Sequence, residues 1–159
     1  MDIFVDGENS AMTDEETKVA VTWFAERLLG KRLARNVSID VQFDEDMDAY
    51  GYAANMDEIE RNPRVFELQI SSKIPKNRQI EVMAHEIVHI KQMARNELRM
   101  KAGVKVFHDG TVVRHDVGIW MGKEYLVNED TYFDLPWEIE AYGREVGLVR
   151  NFVKALQTV

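Results

Sequence analysis

The amino-acid sequence predicts an α+β fold, and three observations support this prediction. Residues 78–95 carry apolar side chains at helical spacing, with no Gly or Pro to interrupt them. A second helical pattern begins near Asp134 and continues towards the C-terminus. Before and between these helices, apolar and polar residues alternate over short runs, as they do in strands with one buried face. We therefore expect helices combined with a small, mainly antiparallel sheet.

Composition limits the class of protein further. With 159 residues, the chain is expected to form a single domain over 1–159 that buries roughly two thirds of its unfolded surface. There is no cysteine, so a metal would have to be held by nitrogen and oxygen. The net charge of −8 argues against a general affinity for nucleic acid. The sequence has no signal-peptide pattern and no apolar run of bilayer length, which predicts a cytoplasmic protein without a membrane partner.

The first half of the chain predicts one helix followed by strands. Thr13 and Glu16 form a capping-box pattern, and a helix should run from there to about residue 29, where Gly30 ends it. Its buried stripe is expected to comprise Ala20, Trp23, Phe24 and Leu28. Strands are predicted over 37–43, 50–55 and 65–71, and the acidic cluster within 44–48 is interpreted as a solvated turn. A hairpin is predicted from 104–108 and 111–115, which flank Asp109-Gly110.

The most informative segment is His85-Glu86-Ile87-Val88-His89, in the middle of the predicted helix over 78–95. Residues four apart on a helix leave the same side, so both imidazoles can converge on one metal ion. Two imidazoles and a third protein ligand leave one position of a tetrahedral zinc for water, whose pKa the metal lowers to about 7. Glu86 lies beside that position and could take the proton of the water molecule as a general base.

The C-terminal helix offers the third ligand. The N-terminal part of this helix contains Glu138, Glu140 and Glu145. Residues two apart on a helix differ by about 200° in direction, so only one of Glu138 and Glu140 can face the metal. The apolar stripe that would pack this helix on the protein is predicted to contain Ile139, Tyr142, Val146, Val149, Val153 and Leu156.

The two helices together resemble the gluzincin metallopeptidases. A His-Glu-x-x-His helix followed by a helix with Glu138-Ile139-Glu140-Ala141 is similar to the small minigluzincin and ImmA/IrrE-like metallopeptidases, and also to small phage-encoded metallopeptidase-like proteins. This resemblance implies a zincin-like fold, a bound zinc ion and peptidase activity. Matching on Ala141 implies that Glu138 is the third ligand, in preference to Glu140.

The chain departs from this pattern after Ala141, where many such proteins have an aspartate that orients a zinc-binding histidine and this sequence has Tyr142. Another carboxylate should then do that work, and Glu140, Glu145 and Asp134 are the candidates. The resemblance also implies that the strand before the metal helix, 65–71, offers a free edge to a peptide; an ordinary interior strand is the alternative. The remaining candidates for stabilising the transition state are Tyr132, Tyr142, His108 and His115, of which the histidines could also be rival third ligands.

The sequence therefore predicts a zinc-dependent peptidase that acts on a peptide or protein substrate. Glu86 would be the general base, and the metal ligands would be His85, His89 and Glu138. One alternative is a protease of DNA-bound proteins, as in the SprT-like group. That resemblance would imply a metal site with three histidine ligands instead of a glutamate as the third ligand. The other is a non-catalytic zinc scaffold in a regulatory or virion protein.

Overall fold

A computed structural model describes residues 1–106 and 108–158 of the protein. The helices are α1 (Asp14–Leu29), α2 (Lys31–Ala34), α3 (Lys76–Ala94) and α4 (Pro136–Gln157), with a short 3-10 helix at Tyr132–Asp134. The strands are β1 (Asp2–Asp6), β2 (Ser38–Asp44), β3 (Gly51–Asn55), β4 (Val65–Ser71), β5 (Leu98–Val106), β6 (Val112–Trp120) and β7 (Lys123–Val127). The mixed α+β class predicted from the sequence is confirmed.

The strands form two sheets. In the first, the order is β1-β2-β4-β3; β1, β2 and β4 are parallel, and only β3 runs antiparallel to its neighbour. The expectation of a mainly antiparallel sheet is therefore wrong for this sheet. The sequence pattern missed the short strand β1, and α1 and α2 supply the long crossover that parallel pairing of β1 with β2 requires. The second sheet, β5-β6-β7, is an antiparallel meander.

Helix α1 forms as its capping box predicts. The Thr13 hydroxyl accepts a hydrogen bond from the Glu16 amide, and the Glu16 carboxylate accepts one from the Thr13 amide. The helix ends at Leu29, before Gly30, whose φ of 76° is easily adopted only by glycine. Phe24 is fully buried and packs on Phe152 of α4 with ring centroids 5.1 Å apart.

Helix α3 lies at the centre of the molecule. It packs against α1, α4 and the first sheet, and every side chain from Val82 to Ala94 is buried. The inward residues of β2 and β4 alternate as predicted, and Ile39, Phe66 and Leu68 are fully buried among them. The acidic turn after β2 is mostly exposed, as expected. The segment His85–His89 therefore lies on a buried, central helix.

Helix α4 packs with a different face from the one predicted. Of the predicted stripe, Val149 is half-buried, and the other five side chains are exposed: Ile139, Tyr142, Val146, Val153 and Leu156. The buried side chains are instead Trp137, Glu138, Ala141, Leu148 and Phe152. The prediction was wrong because this helix carries two sets of apolar residues, and the set that packs is the one on the same side as Glu138.

The predicted hairpin is present as β5 and β6, which are longer than expected; Phe107, within the predicted hairpin, lies outside the described residues. Next to Gly118 of β6 lies the indole of Trp137, so this sheet packs against the first turn of α4.

Among the helices of residues 1–106 and 108–158, none has the length and apolar character that crossing a membrane requires.

Candidate metal centre

Three buried side chains converge between α3 and α4. His85 and His89 lie one turn apart on α3, with their Nε2 atoms 3.2 Å from each other. Glu138, in the first turn of α4, places Oε2 3.3 Å from His85 Nε2 and Oε1 3.4 Å from His89 Nε2. One potential ligand atom from each of the three side chains lies within 4.8 Å of the other two. These residues could therefore hold one metal ion.

The chemistry of the group fits a divalent metal. Glu138 Oε2 is buried and makes no hydrogen bond of acceptable geometry to any described residue, although it faces the His85 ring. Burying a carboxylate oxygen without a hydrogen-bond partner reduces the stability of the fold unless a ligand such as a metal ion binds it. Burial would raise the pKa of the Glu138 carboxyl, but the two histidines outweigh it and lower that pKa to about 2. Two imidazole nitrogens and one carboxylate oxygen form a ligand set that divalent transition metals, zinc among them, accept.

The start of α4 positions Glu138. Pro136 occupies the beginning of the helix, where a missing amide hydrogen costs nothing. The next residue, Trp137, is buried against Tyr125 and Trp120, with ring centroids 5.8 and 6.4 Å away. Since Trp137 fixes the rotation of the helix about its axis, the following glutamate must face α3.

Glu140, the rival third ligand, faces away from the two imidazoles, as the angle between the two glutamates requires. Its carboxylate accepts hydrogen bonds from Lys91 at 2.8 Å, Gln92 at 2.9 Å and Arg144 at 2.9 Å. Burial would raise the pKa of Glu140, but these partners lower it, so the group is held ionised. Of the two glutamates, only Glu138 belongs to the group that could hold a metal among the described residues.

Each histidine has a partner on the nitrogen that faces away from the group. His85 Nδ1 lies 2.9 Å from the Glu145 carboxylate, so Glu145 is the orienting carboxylate among the three candidates; Asp134 is exposed. His89 Nδ1 lies 2.8 Å from Gln92 Oε1. If each Nδ1 carries the hydrogen, each Nε2 presents its lone pair to the metal position. Sequence reasoning missed Gln92, although its place one turn after His89 was a usable signal.

Both imidazoles hold protons more tightly than an isolated histidine. Burial alone would lower the pKa of His85, but the close approach of the Glu138 carboxylate and the charge of Glu86 raise it overall. The same opposition between burial and these two carboxylates gives His89 a raised pKa. The group as it stands therefore attracts positive charge, whether from protons or from a metal ion.

Glu86 lies beside the group under the first residue of β3. Burial raises the pKa of its carboxyl, against the opposing influence of the two histidines. Gly51 makes this position accessible, because a Cβ there would press on Val82 and on the Glu86 side chain. Glu86 lines both of the cavities that border the site.

A cleft runs past the group along the outer edge of β3. One cavity of about 260 Å³ and another of about 330 Å³ meet at Gly51 and Glu86. Among the described strands, none pairs with this edge of β3. The implication that the strand over 65–71 offers the free edge is wrong, because β4 pairs with β2 on one side and with β3 on the other. The edge strand is instead the one before it in sequence.

Of the four further candidates, the two tyrosines lie at the cleft. Tyr132 borders both cavities, and burial together with the nearby charge of Glu138 raises the pKa of its phenol. The Tyr142 ring lies 4.6 Å from the His85 ring. His108 is exposed beside the hairpin turn, and His115 pairs with Gly103 across the second sheet. Neither of these histidines belongs to the metal-binding group found among the described residues.

Comparison of the chain with known protein families, with curated proteins and with solved structures found no significant match in any of the three. The functional interpretation therefore rests on the geometry of the side chains between α3 and α4.

Proposed function

We propose that the protein is a zinc-dependent peptidase of the gluzincin type with a zincin-like arrangement of its elements. The observation that supports this proposal best is the convergence of three buried groups, His85, His89 and Glu138, beside Glu86 and an open cleft. A site that serves only structure is usually closed by four protein ligands, whereas three ligands beside a carboxylate suit catalysis.

When bound by His85, His89 and Glu138, zinc would supply an acidified water molecule and would polarise a scissile carbonyl. Glu86 would serve as the general base that accepts a proton from the attacking water and passes it to the leaving amine. Burial raises the pKa of its carboxyl towards neutrality, where such a transfer is efficient. Tyr132 borders both cavities, and its hydroxyl, which is protonated at neutral pH, would donate to the developing oxyanion.

The substrate in this proposal is an extended peptide. The amide and carbonyl groups on the free edge of β3 pair with it as an added strand, which brings a peptide bond across Glu86. Because backbone groups make these contacts, they position any sequence equally, and selectivity depends on the cavities beside them.

The first experiment is the metal content of the purified protein after dialysis against metal-free buffer. We expect one zinc ion per chain, reduced in His89→Ala and Glu138→Ala. Glu140→Ala is the matched control, since it removes a glutamate two residues away that faces other partners. The proposal would be contradicted if the wild-type protein contained no metal and did not take up added zinc.

The second experiment is a peptide-library screen with the zinc-loaded protein. Glu86→Gln should bind zinc as the wild type does but lack cleavage, because the amide cannot accept a proton. Equal cleavage by both proteins would show that Glu86 is not the base. The zinc-scaffold alternative would be favoured if His85→Ala abolished the biological effect of the protein in cells while Glu86→Gln left that effect unchanged.

The proposed site does not favour a SprT-like protease. A resemblance to the SprT-like proteases would imply three histidine ligands, whereas the third potential ligand here is Glu138. His108 is exposed and does not belong to this cluster. Cleavage stimulated by DNA would contradict this preference.

A further inference from the structure

The two cavities beside Glu86 differ in chemistry. The cavity at the N-terminal part of α3 is lined by charged side chains, among them Arg78, Glu81 and Glu145. The cavity at the C-terminal end of α3 has a mainly apolar wall: Met93, Leu98, Met100, Val127, Leu135 and Trp137. The proposed scissile bond therefore lies between a polar and an apolar compartment.

The apolar wall is built from four separate elements. Met93 lies in the last turn of α3, Leu98 and Met100 belong to β5, Val127 ends β7, and Trp137 lies in the first turn of α4. Met93, Leu98 and Trp137 are nearly buried, while Met100 remains 46% exposed at the cavity mouth. Methionine side chains are unbranched and flexible, so a wall that contains Met93 and Met100 adapts to aliphatic and aromatic side chains of different shape. The wall can therefore accept a side chain of the order of leucine or phenylalanine.

The free edge of β3 decides which part of a peptide reaches each compartment. Both cavities border Ala49 and Gly51, but Tyr50 borders only the polar one, and Tyr52 and Ala53 border only the apolar one, which therefore extends further along β3. Antiparallel pairing is slightly more stable per residue than parallel pairing, so a peptide added to β3 runs opposite to it. Its N-terminal part then lies beside residues 52–55, where a smaller cavity that shares Met93, Leu98 and Met100 continues the groove.

We propose that the apolar compartment receives the side chain that precedes the scissile bond, and that the substrates are peptides with a large aliphatic or aromatic residue at that position. The residue after the bond faces the charged compartment and is polar. This inference rests on the proposed function, because the scissile bond is defined by the zinc site.

The test uses three hydroxamates that bind zinc through the same head group. Acetohydroxamate carries no side chain, N-acetyl-leucine hydroxamate carries an apolar one on the acyl side, and N-acetyl-glutamate hydroxamate carries a charged one. Calorimetric titration of the zinc-loaded protein should show the leucine compound binding about tenfold or more tightly than the other two, since burial of such a side chain is favourable.

A variant shows where the side chain binds. Met100→Glu should remove most of the preference for the leucine compound, because it places a carboxylate in the wall of the apolar compartment. The fold should tolerate this substitution because the Met100 side chain is partly exposed. Met121→Glu is the matched control, since Met121 is 64% exposed in the turn between β6 and β7 and should leave the preference unchanged.

Two outcomes would overturn the inference and leave the zinc site intact. One is equal affinity of the zinc-loaded protein for all three hydroxamates. The other is a preference for leucine that Met100→Glu does not alter. Failure of acetohydroxamate to bind the zinc-loaded protein would instead overturn the proposed function, and the inference with it.

Discussion

At the scale of single residues, Gln92 connects the two helices that form the site. It is fully buried, accepts a hydrogen bond from His89 Nδ1 when that nitrogen carries the hydrogen, and donates to Trp137 O and to the Glu140 carboxylate. The side chain therefore spans from a histidine on α3 to the first turn of α4. Glu140, which is not part of the metal-binding group, contributes to it through this glutamine.

We expect Gln92→Ala to lower zinc affinity by roughly 10- to 100-fold, as loss of such orienting partners does elsewhere. Competition against a chromophoric chelator would measure it. Gln79→Ala is the control, because Gln79 is also fully buried on α3 but bonds to Asn9 and to the Ser71 carbonyl. Both variants should lose stability; equal loss of zinc affinity in both would contradict a specific role for Gln92.

Gly51 controls the position of Glu86. A Cβ at Gly51 would press on Val82 and on the Glu86 side chain, so Gly51→Ala should displace the proposed base without contacting the three proposed metal ligands. We expect kcat/KM for the best library peptide to fall by about 10- to 100-fold, with zinc content unchanged. Gly143→Ala, where an added Cβ meets no described atom within 4 Å, should keep full activity. Undiminished activity of Gly51→Ala would contradict this account.

At the scale of elements, α4 carries two sets of apolar residues, and only one packs. The packed set includes Leu148 and Phe152, which join the core near Phe24 of α1. The other set, which includes Val146 and Val153, faces outward. Trp137 decides between them, because its large ring fits the space beside Gly118 and thereby sets the rotation of the whole helix.

Two alanine substitutions test which face is buried. Leu148→Ala should reduce the free energy of unfolding by about 2–5 kcal/mol, since it leaves a cavity in the core. Val146→Ala, at a position that is 57% exposed, should change it by less than about 0.5 kcal/mol. Urea unfolding followed by circular dichroism gives both values. The reverse order would mean that the stripe expected from the sequence is the one that packs.

At the scale of the whole molecule, the proposed zinc ion would join α3 to α4 across residues 95–135, which include the second sheet. Anything that binds only the folded state stabilises it, so zinc should raise the melting temperature.

His85 and His89 have raised pKa values, so their protonation stabilises the metal-free protein below about pH 6.5. That contribution is lost as the pH rises through the folded-state pKa values.

Zinc binding has the opposite dependence, because it requires neutral imidazoles. The increase in melting temperature on adding zinc should therefore be larger at pH 8 than at pH 6, as measured by differential scanning calorimetry. His89→Ala should show little increase at either pH. An increase of the same size at both would indicate that zinc binds somewhere other than these histidines.

Much of this fold could be predicted from local patterns. Helix α1 was predicted because Thr13 and Glu16 satisfy its first amides, and the inward side of β2 because Ile39 alternates with polar neighbours. The pairing of strands was not, because parallel or antiparallel direction depends on where the intervening helices pack. The short strand β1 carries too few alternating residues to stand out.

The sequence alone determined the helix that places His85 and His89 on one side, and it determined that any metal there must be bound by nitrogen and oxygen. Those conclusions follow from helical periodicity and from the absence of cysteine, which are local properties of the chain. Only the tertiary structure decided that Glu138 rather than Glu140 meets the histidines, that Gln92 and Glu145 orient them, and that β3 borders the cleft. Each of these depends on how one element is rotated or ordered against another, which is fixed by packing between residues far apart in sequence.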